Sequence, residues 1–313
     1  MKRVYPDYYP RFRCAADKCA HTCCVGWEID IDAAAMNRYR RMKGPMGERL
    51  RAHINDRGKD GSFILDERER CPLLNENGLC DLITEKGERA LCQICRDHPR
   101  YRLRLSDREE IGLGLCCEAA CRLILNEKER PKMIVVDDGR SKATLTGTEK
   151  ACLEARDALF GIIWDQSLSI NDVQRMILMQ FCGLPAMPLS PEKWANEFLK
   201  LERMEDSWML RLEKLRRERG NMSIDPAFDD RMLRQLLTYF IYRYAVQGWK
   251  KRRCAMNGHI AFAVLSVYMI CLLSDGADDL YESARQYSAE IEYSDVNANS
   301  LIEKLDRYAE EYQ

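Results

Sequence analysis

The sequence predicts an α+β protein, in which an N-terminal Cys-rich metal-binding domain with short hairpins precedes a mainly α-helical C-terminal part. Eleven of the fifteen cysteines lie within the first 121 residues. Turn residues and short alternating runs fill the same region, whereas apolar residues at helical spacing dominate after residue 147. We therefore expect a metal-binding domain over residues 1–125, a linker over residues 126–147 and a helical domain over residues 148–313.

The composition narrows the class of protein. With 313 residues and 46% apolar content, the chain can bury one large core or two moderate ones. A formal net charge of −1 argues against a broad surface for nucleic acid or for an anionic membrane. No secretory signal peptide is visible, and the apolar run over residues 260–273 is shorter than a membrane span of about 20 residues. We therefore expect a soluble, cytoplasmic protein.

Two predicted turns bring distant cysteines together. Asn77-Gly78 favours a two-residue hairpin turn, which would bring Cys71 towards Cys80. A second predicted hairpin turns at residues 106–108 and leads directly into the next pair of cysteines. Turns and short hairpins would thus collect thiols from separate parts of the sequence.

Other signals place further elements. Residues 25–32 alternate apolar and acidic side chains, as a half-buried strand does, and Asp32 can then cap a short helix. Ser190-Pro191 is typical of a helix start, and Gly220 can close the long helix that would follow. An apolar stripe over residues 233–244 predicts a core helix, and the basic residues 250–253 predict a turn.

The clustered thiols indicate a metal centre. Disulfides are rare in the cytosol, where such a pattern more often binds metal, and thiolates suit iron–sulfur clusters and zinc. His21 and His98 are weaker candidate ligands. Disulfides, buried thiols and redox chemistry remain alternatives, and more thiols are present than one four-coordinate site needs. The candidate metal ligands are Cys14, Cys19, Cys23, Cys24, Cys71, Cys80, Cys92, Cys95, Cys116 and Cys117.

Several motifs resemble those of cysteine-cluster proteins described as zinc- or iron-chelating. These motifs are Cys23-Cys24, Cys71-Pro72-Leu73-Leu74, Gly78-Leu79-Cys80 and Cys95-Arg96-Asp97-His98-Pro99. The fuller pattern is similar to the flagellin lysine-N-methylase family. It adds Tyr5-Pro6-Asp7-Tyr8-Tyr9, Phe12-Arg13-Cys14, Cys19, Val25-Gly26-Trp27 and the downstream Tyr239-Phe240-Ile241-Tyr242-Arg243-Tyr244.

The resemblance implies an iron–sulfur cluster and methyl transfer from S-adenosylmethionine to surface lysines of flagellin, with zinc as the alternative metal. The residues themselves show no dinucleotide-type glycine loop after a strand, so the site for S-adenosylmethionine is not located. The radical class of such enzymes is disfavoured, because Gly26 stands where its three-cysteine loop requires the third thiol.

A lysine amine must be neutral to accept a methyl group, and tyrosine hydroxyls can orient it. The candidate catalytic residues near the cysteines are Tyr5, Tyr8, Tyr9 and Tyr101. The competing interpretation is a zinc- or iron-chelating binding protein, or a redox protein, without methyltransferase activity. We expect flagellin as the protein partner, and neither nucleic acid nor a membrane.

Overall fold

The computed structural model describes residues 1–56, 58, 61–137, 139, 143–218, 220–248 and 256–312. The chain forms two compact units. The first, which we call the cysteine unit, is Arg13–Tyr101, and the second, the helical unit, combines Met1–Phe12 with Arg102–Gln313. These boundaries differ from the predicted ones at residues 125 and 148, and the predicted division into functional domains stays a prediction.

The secondary structure is mixed, and the basic turn predicted at residues 250–253 lies outside the described residues. The strands are β1 (Lys2–Pro6), β2 (Asp30–Ile31), β3 (Ile54–Asp56), β4 (Gly61–Phe63), β5 (Arg100–Arg104), β6 (Arg108–Leu113) and β7 (Met133–Val136). The helices are α1 (Ala33–Arg41), α2 (Pro45–Ala52), α3 (Asp81–Lys86), α4 (Gln93–Asp97), α5 (Glu118–Leu125), α6 (Gly147–Ile163), α7 (Ile170–Ile177), α8 (Pro191–Phe198), α9 (Asp206–Arg217), α10 (Asp230–Tyr244), α11 (Met256–Leu273), α12 (Leu280–Tyr287) and α13 (Asp295–Glu311).

The cysteine unit is built on a small antiparallel sheet of order β2-β4-β3 and on helix α1. The predicted cap is confirmed, because the Asp32 carboxylate accepts a hydrogen bond of 2.9 Å from the backbone N–H of Ala35. The predicted strand over residues 25–32 is shorter than expected and comprises only β2, since Val25 bridges to Arg70 instead of joining the sheet. The apolar face of α1, with Met36 and Tyr39, fills the core.

The helical unit combines a four-stranded sheet of order β5-β6-β1-β7 with a layered set of helices. β1 runs parallel to β6 and antiparallel to β7. The second predicted hairpin is confirmed, because β5 and β6 are neighbours and the Leu105 N–H donates to the Arg108 carbonyl. The central helix α11 packs against α10, α12 and α13 and is buried over residues 260–271. In the described part of the chain, every helix is too short or too polar to cross a membrane.

The long helix predicted from Ser190 is wrong. Ser190 and Pro191 do begin α8, but the chain leaves the helix after Phe198 and a separate helix, α9, follows. Glu290, in the π-helical turn that follows α12, accepts hydrogen bonds of 2.8 Å from two backbone N–H groups of the connection. These long-range bonds outweigh the local helix propensity of the connecting residues.

Candidate functional site

Five of the predicted thiols share one core in the cysteine unit. Cys71 and Cys92 are buried members of this core, and Cys24, Cys80 and Cys95 are partly buried against it. They come from four separate stretches of the chain. The prediction that turns gather thiols from distant positions is therefore confirmed for these five, which we call the thiol core.

Backbone pairing places the first three thiols of this core. The Cys71 N–H donates a hydrogen bond of 2.8 Å to the Cys24 carbonyl, next to the bridge between Val25 and Arg70. A second bridge joins Leu74 to Cys80. Cys24 and Cys80 are therefore both paired with the segment 71–74.

The turn before Cys80 has the expected residues and a different geometry from the prediction. Gly78 has a positive φ of 73°, as a tight turn requires, whereas Asn77 is not among the residues with positive φ in the described part of the chain. Instead, the Asn75 side chain accepts hydrogen bonds from the backbone N–H groups of Asn77 and Leu79, each at 3.0 Å. An Asn side chain that bonds its own loop therefore stabilises the turn.

Three side chains, from α1 and from its N-cap, hold the segment that carries Cys92. The second Asp32 carboxylate oxygen accepts a hydrogen bond of 2.7 Å from the Gln93 N–H. The Tyr39 hydroxyl donates to the Ala90 carbonyl at 3.0 Å, and the Arg38 guanidinium donates to the next carbonyl along the chain. Helix α1 therefore fixes both the sheet side and the CxxC side of the thiol core.

The thiols of the core lie close enough to influence one another's protonation. A hydrogen bond between their side chains lowers the pKa of Cys92 and raises the pKa of Cys95. A hydrogen bond with Cys23 lowers the pKa of Cys24 to about 7. Burial raises the pKa of Cys71 to about 12, and negative charge on Cys24, Cys80 or Cys92 would raise it further.

The remaining N-terminal candidates lie on an exposed segment before the core. Cys14 and Cys23 are exposed and Cys19 is half-buried. The Cys19 thiol donates to the carbonyl of His21, at 3.3 Å, and His21 itself is exposed. His98 is half-buried, and burial lowers the pKa of its imidazole to about 4, which keeps the ring neutral.

Cys116 and Cys117 belong to the helical unit, where Cys121 joins them at the start of α5. Cys116 and Cys121 are buried, while Cys117 is half-buried and precedes the first residue of the helix. Burial raises the pKa of Cys116 to about 12, although a hydrogen bond with Tyr293 acts in the opposite direction. These thiols stay candidate ligands.

A buried polar cluster lies beside Cys116. The Glu292 side chain is 0% exposed. Its carboxylate accepts a hydrogen bond of 3.0 Å from the Tyr239 hydroxyl and forms an ion pair of 3.2 Å with Arg243. The Arg243 guanidinium also donates to the Tyr239 hydroxyl at 2.7 Å, and so does the Leu115 N–H at 3.4 Å. We call the side chains of Tyr239, Arg243 and Glu292 the Glu292 cluster. It holds the backbone immediately before Cys116.

Sequence reasoning missed the Glu292 cluster. Tyr239 and Arg243 stand four residues apart and therefore share one face of α10, a signal that the apolar stripe obscured. Glu292 has no local signal, because it lies 49 residues from Arg243 and enters through a single π-helical turn, Ser288–Glu292. Such turns are often found at functional sites.

The candidate catalytic tyrosines are placed in two settings. Tyr5 and Tyr9 are half-buried in the helical unit, with their ring centroids 5.1 Å apart, and Tyr8 between them is buried. Tyr101 is half-buried at the end of the cysteine unit. No observation tests their catalytic role, which stays a prediction.

The donor chemistry of the thiol core suits a metal, since soft thiolates bind zinc and iron–sulfur clusters. In the parts of the chain that the structure describes, however, no three His, Cys, Asp or Glu side chains are arranged so that they could hold a metal ion. The thiols are thus gathered near one another without forming a ready coordination sphere.

The thiol core and the Glu292 cluster are thus the two candidate sites of the chain, and sequence similarity relates the chain to known proteins. The chain resembles lysine-N-methylases. It is 27% identical over 130 residues to the Lysine-N-methylase of Salmonella typhimurium and 26% identical over 130 residues to that of Salmonella choleraesuis. It is 25% identical over 137 residues to the Flagellar biosynthetic protein FliU of Salmonella muenchen.

The extent of these matches is limited. They cover 40% of this chain, 32% of each lysine-N-methylase and 77% of the FliU protein. The chain therefore spans about a third of the length of the lysine-N-methylases that it matches. No protein-family model and no solved structure matches the chain. The names of these relatives refer to lysine methylation and to flagellar biosynthesis.

Proposed function

We propose that this chain is a protein-lysine N-methyltransferase that acts on surface lysines of flagellin, with S-adenosylmethionine as the methyl donor. The observation that carries the proposal is the similarity over 130 residues to proteins named Lysine-N-methylase. A relative named as a flagellar biosynthetic protein supports flagellin as the substrate. A cytoplasmic location is part of the proposal.

The proposal includes a cysteine-ligated metal centre, an iron–sulfur cluster in the first place and zinc in the second. The thiol core supports it, because five thiols from four stretches of chain pack on one core. Metal binding would draw thiols that already lie near one another into a coordination sphere, and would thereby stabilise the cysteine unit. The chain's own residues that would hold the metal are Cys24, Cys71, Cys80, Cys92 and Cys95.

The chemistry asked of the remaining residues is modest. The sulfonium methyl group supplies the electrophile, so the protein must hold the amine neutral and in line with it. A tyrosine hydroxyl can accept a hydrogen bond from the amine and orient its lone pair. Tyr5, Tyr8, Tyr9 and Tyr101 are the proposed orienting residues.

The test is incubation of the full chain with isotopically labelled S-adenosylmethionine and flagellin, followed by mass spectrometry of the flagellin lysines. We expect labelled methyl groups on lysines of native flagellin. Flagellin whose lysines have been acetylated is the matched control and should stay unlabelled. Folded, metal-loaded protein that transfers no methyl group to native flagellin would contradict the proposal.

A second candidate function follows from the thiol core alone. A zinc- or iron-chelating binding protein, or a redox protein, would need the same five thiols and no substrate site. Stoichiometric metal together with no methyl transfer would favour this function. A reversible change of the absorption spectrum on reduction and reoxidation, with the metal retained, would then distinguish the redox protein from the binding protein.

A further inference from the structure

A small cavity lies inside the helical unit, between the N-terminal segment and helix α10. Its volume is about 10 Å³. It is lined by Pro6, Tyr8, Ile124, Pro131, Met133, Gln235, Thr238, Tyr239 and Tyr242. A cavity of roughly 10–15 Å³ admits one water molecule, so this one has room for a single water and for no cofactor.

Within the described residues, one buried polar atom of a residue that lines the cavity has no protein partner. Gln235 is 1% exposed, and its Oε1 makes no hydrogen bond within the described chain. Its amide Nε2 is fully used, since it donates to the carbonyls of Glu127 at 3.0 Å and Glu129 at 2.7 Å. Tyr8 is 3% exposed and lines the same cavity.

The other hydroxyl groups that line the cavity are already engaged. Tyr239 bonds the Glu292 carboxylate, and Thr238 accepts a hydrogen bond of 3.0 Å from the Trp164 indole. The Tyr242 hydroxyl donates towards the Val4 carbonyl at 3.4 Å. The acceptor that lacks a partner is therefore Gln235 Oε1, and the Tyr8 hydroxyl, on another residue of the lining, can both donate and accept a hydrogen bond.

We propose that this cavity is a binding site for one structural water molecule, which donates to Gln235 Oε1 and accepts from the Tyr8 hydroxyl. Leaving a buried carbonyl without a partner costs about 1–3 kcal/mol, and buried polar groups are bonded to protein or to ordered water in most structures. Water has the donor and the acceptor that the two groups require. Its size also matches the space.

The bound water would join three segments that are far apart in the sequence. Tyr8 lies on the N-terminal segment, Gln235 on α10, and the Gln235 amide holds the carbonyls of the chain after α5. The water would therefore fix the N-terminal segment to the helix that also carries Tyr239 and Arg243. Loss of the water should loosen this attachment without altering the thiol core.

A high-resolution crystal structure of the full chain tests the proposal directly. We expect one electron-density peak in the cavity, within about 3.2 Å of Gln235 Oε1 and of the Tyr8 hydroxyl oxygen. In Y8F the peak should be weak or absent while the surrounding side chains keep their positions. An empty cavity in a map that resolves other buried waters would overturn the proposal, and so would a Gln235 amide whose oxygen bonds a protein group.

A double-mutant cycle gives a second, independent readout in solution. A hydrogen bond contributes about 1 kcal/mol, so Y8F should lower the folding equilibrium constant about fivefold. Q235M should lower it further, because it also removes the two bonds from the Gln235 amide to the carbonyls of Glu127 and Glu129. Because both act through the same water, the double variant should lose about fivefold less than the product of the two single losses. A fully multiplicative loss would contradict a shared water.

The matched control is Y5F, on the same segment, whose ring stacks near Tyr9 and does not line the cavity. In the variant that carries both Y5F and Q235M, the loss in the folding equilibrium constant should equal the product of the two single losses.

Discussion

Glu149 shows at the scale of one residue how a buried carboxylate organises the helical unit. Its two oxygens accept hydrogen bonds from the backbone N–H and the hydroxyl of Ser106, at 2.9 and 3.0 Å, and from the backbone N–H of Thr146, at 2.8 Å. The side chain thereby caps α6 and also anchors the turn between β5 and β6. The contact with Thr146 follows from the capping-box pattern, and the contact with Ser106 depends on the tertiary fold.

The first prediction concerns the pH dependence of these bonds. Burial raises the pKa of Glu149, but the hydrogen bonds from Thr146 and Ser106 outweigh it and lower the pKa below its ordinary value. A lowered pKa in the folded state contributes stability above the unfolded pKa, about 4.3, and this stability is lost as the pH falls through the folded pKa.

We therefore expect E149Q to lower the free energy of unfolding by about 1–3 kcal/mol at neutral pH, and the difference from the wild type to shrink below about pH 4. Denaturant unfolding over this pH range measures it. The control is E154Q, an exposed position on the same helix, which should have little effect at any pH. A difference that stays constant with pH would contradict the assignment.

The second prediction concerns the candidate catalytic tyrosines. If a tyrosine hydroxyl orients the lysine amine, its loss should slow methyl transfer about 10²–10⁴-fold without changing the metal content. The variants are Y5F, Y8F, Y9F and Y101F, assayed for methyl transfer and for bound metal. Y312F, at a position that is 57% exposed near the C-terminus, is the control for a general effect of the substitution.

Should all four variants keep near wild-type rates, the active site lies elsewhere. The buried tyrosines of α10, namely Tyr239, Tyr242 and Tyr244, would then be tested next, because Tyr239 belongs to the Glu292 cluster.

At the scale of the element, the break between α8 and α9 has an identifiable cause. Asn297, which is 1% exposed on α13, accepts from the Glu202 N–H at 3.1 Å. Its amide also donates to the carbonyls of Glu202 and Glu290, each at 2.8 Å. One side chain thus satisfies backbone groups of the connection that a continuous helix would have satisfied internally.

The third prediction follows from these bonds. Asn297→Ala should lower the free energy of unfolding by about 2–3 kcal/mol, because it leaves buried backbone groups without partners. Chemical denaturation of the full chain measures the loss. Ser300→Ala, at an exposed position on the same helix, should cost little. Equal stability of the two variants would mean that the connection does not depend on Asn297.

Local signals determined which elements could be predicted from the sequence. The Asp32 cap, the Ser190-Pro191 helix start and the hairpin between β5 and β6 are set by neighbouring residues, and each was predicted correctly. The end of α8 was not, since it is set by Glu290 and Asn297. No window of sequence around residue 198 contains either side chain.

At the scale of the whole molecule, the distinction between local and long-range signals also applies to the two groups of thiols, the thiol core and the pair Cys116 and Cys117. The Asn77-Gly78 turn predicted that Cys71 and Cys80 approach each other, and the thiol core agrees. The sequence also placed Cys116 and Cys117 in the same ligand set; these two belong to the helical unit and the thiol core to the cysteine unit, and the shared ligand set stays a prediction. Membership of a unit depends on how β6 pairs with β1, which is a long-range contact.

The fourth prediction concerns the metal. Purified under anaerobic conditions, the chain should carry iron and sulfide, or else zinc, at about one centre per molecule. Metal analysis together with sulfide determination measures this, and an iron–sulfur cluster would add a brown colour. Thiols paired as disulfides, with metal well below one equivalent, would contradict the prediction and leave the thiol core as a packing feature.

The last prediction is that metal binding and folding of the cysteine unit are coupled. The thiols of the core arrive from four stretches of chain, so ligand binding free energy is also folding free energy for this unit. Cys24→Ser and Cys80→Ser should therefore lower both the metal content and the solubility. Cys152→Ser is the matched control, because Cys152 is a buried thiol of the helical unit that packs beside Leu103 and Leu105 and should not bind metal. Metal analysis and circular dichroism of the three variants test the prediction. Full metal occupancy in Cys24→Ser and Cys80→Ser would show that other thiols hold the metal. Loss of metal in Cys152→Ser would show that the effect is one of general stability.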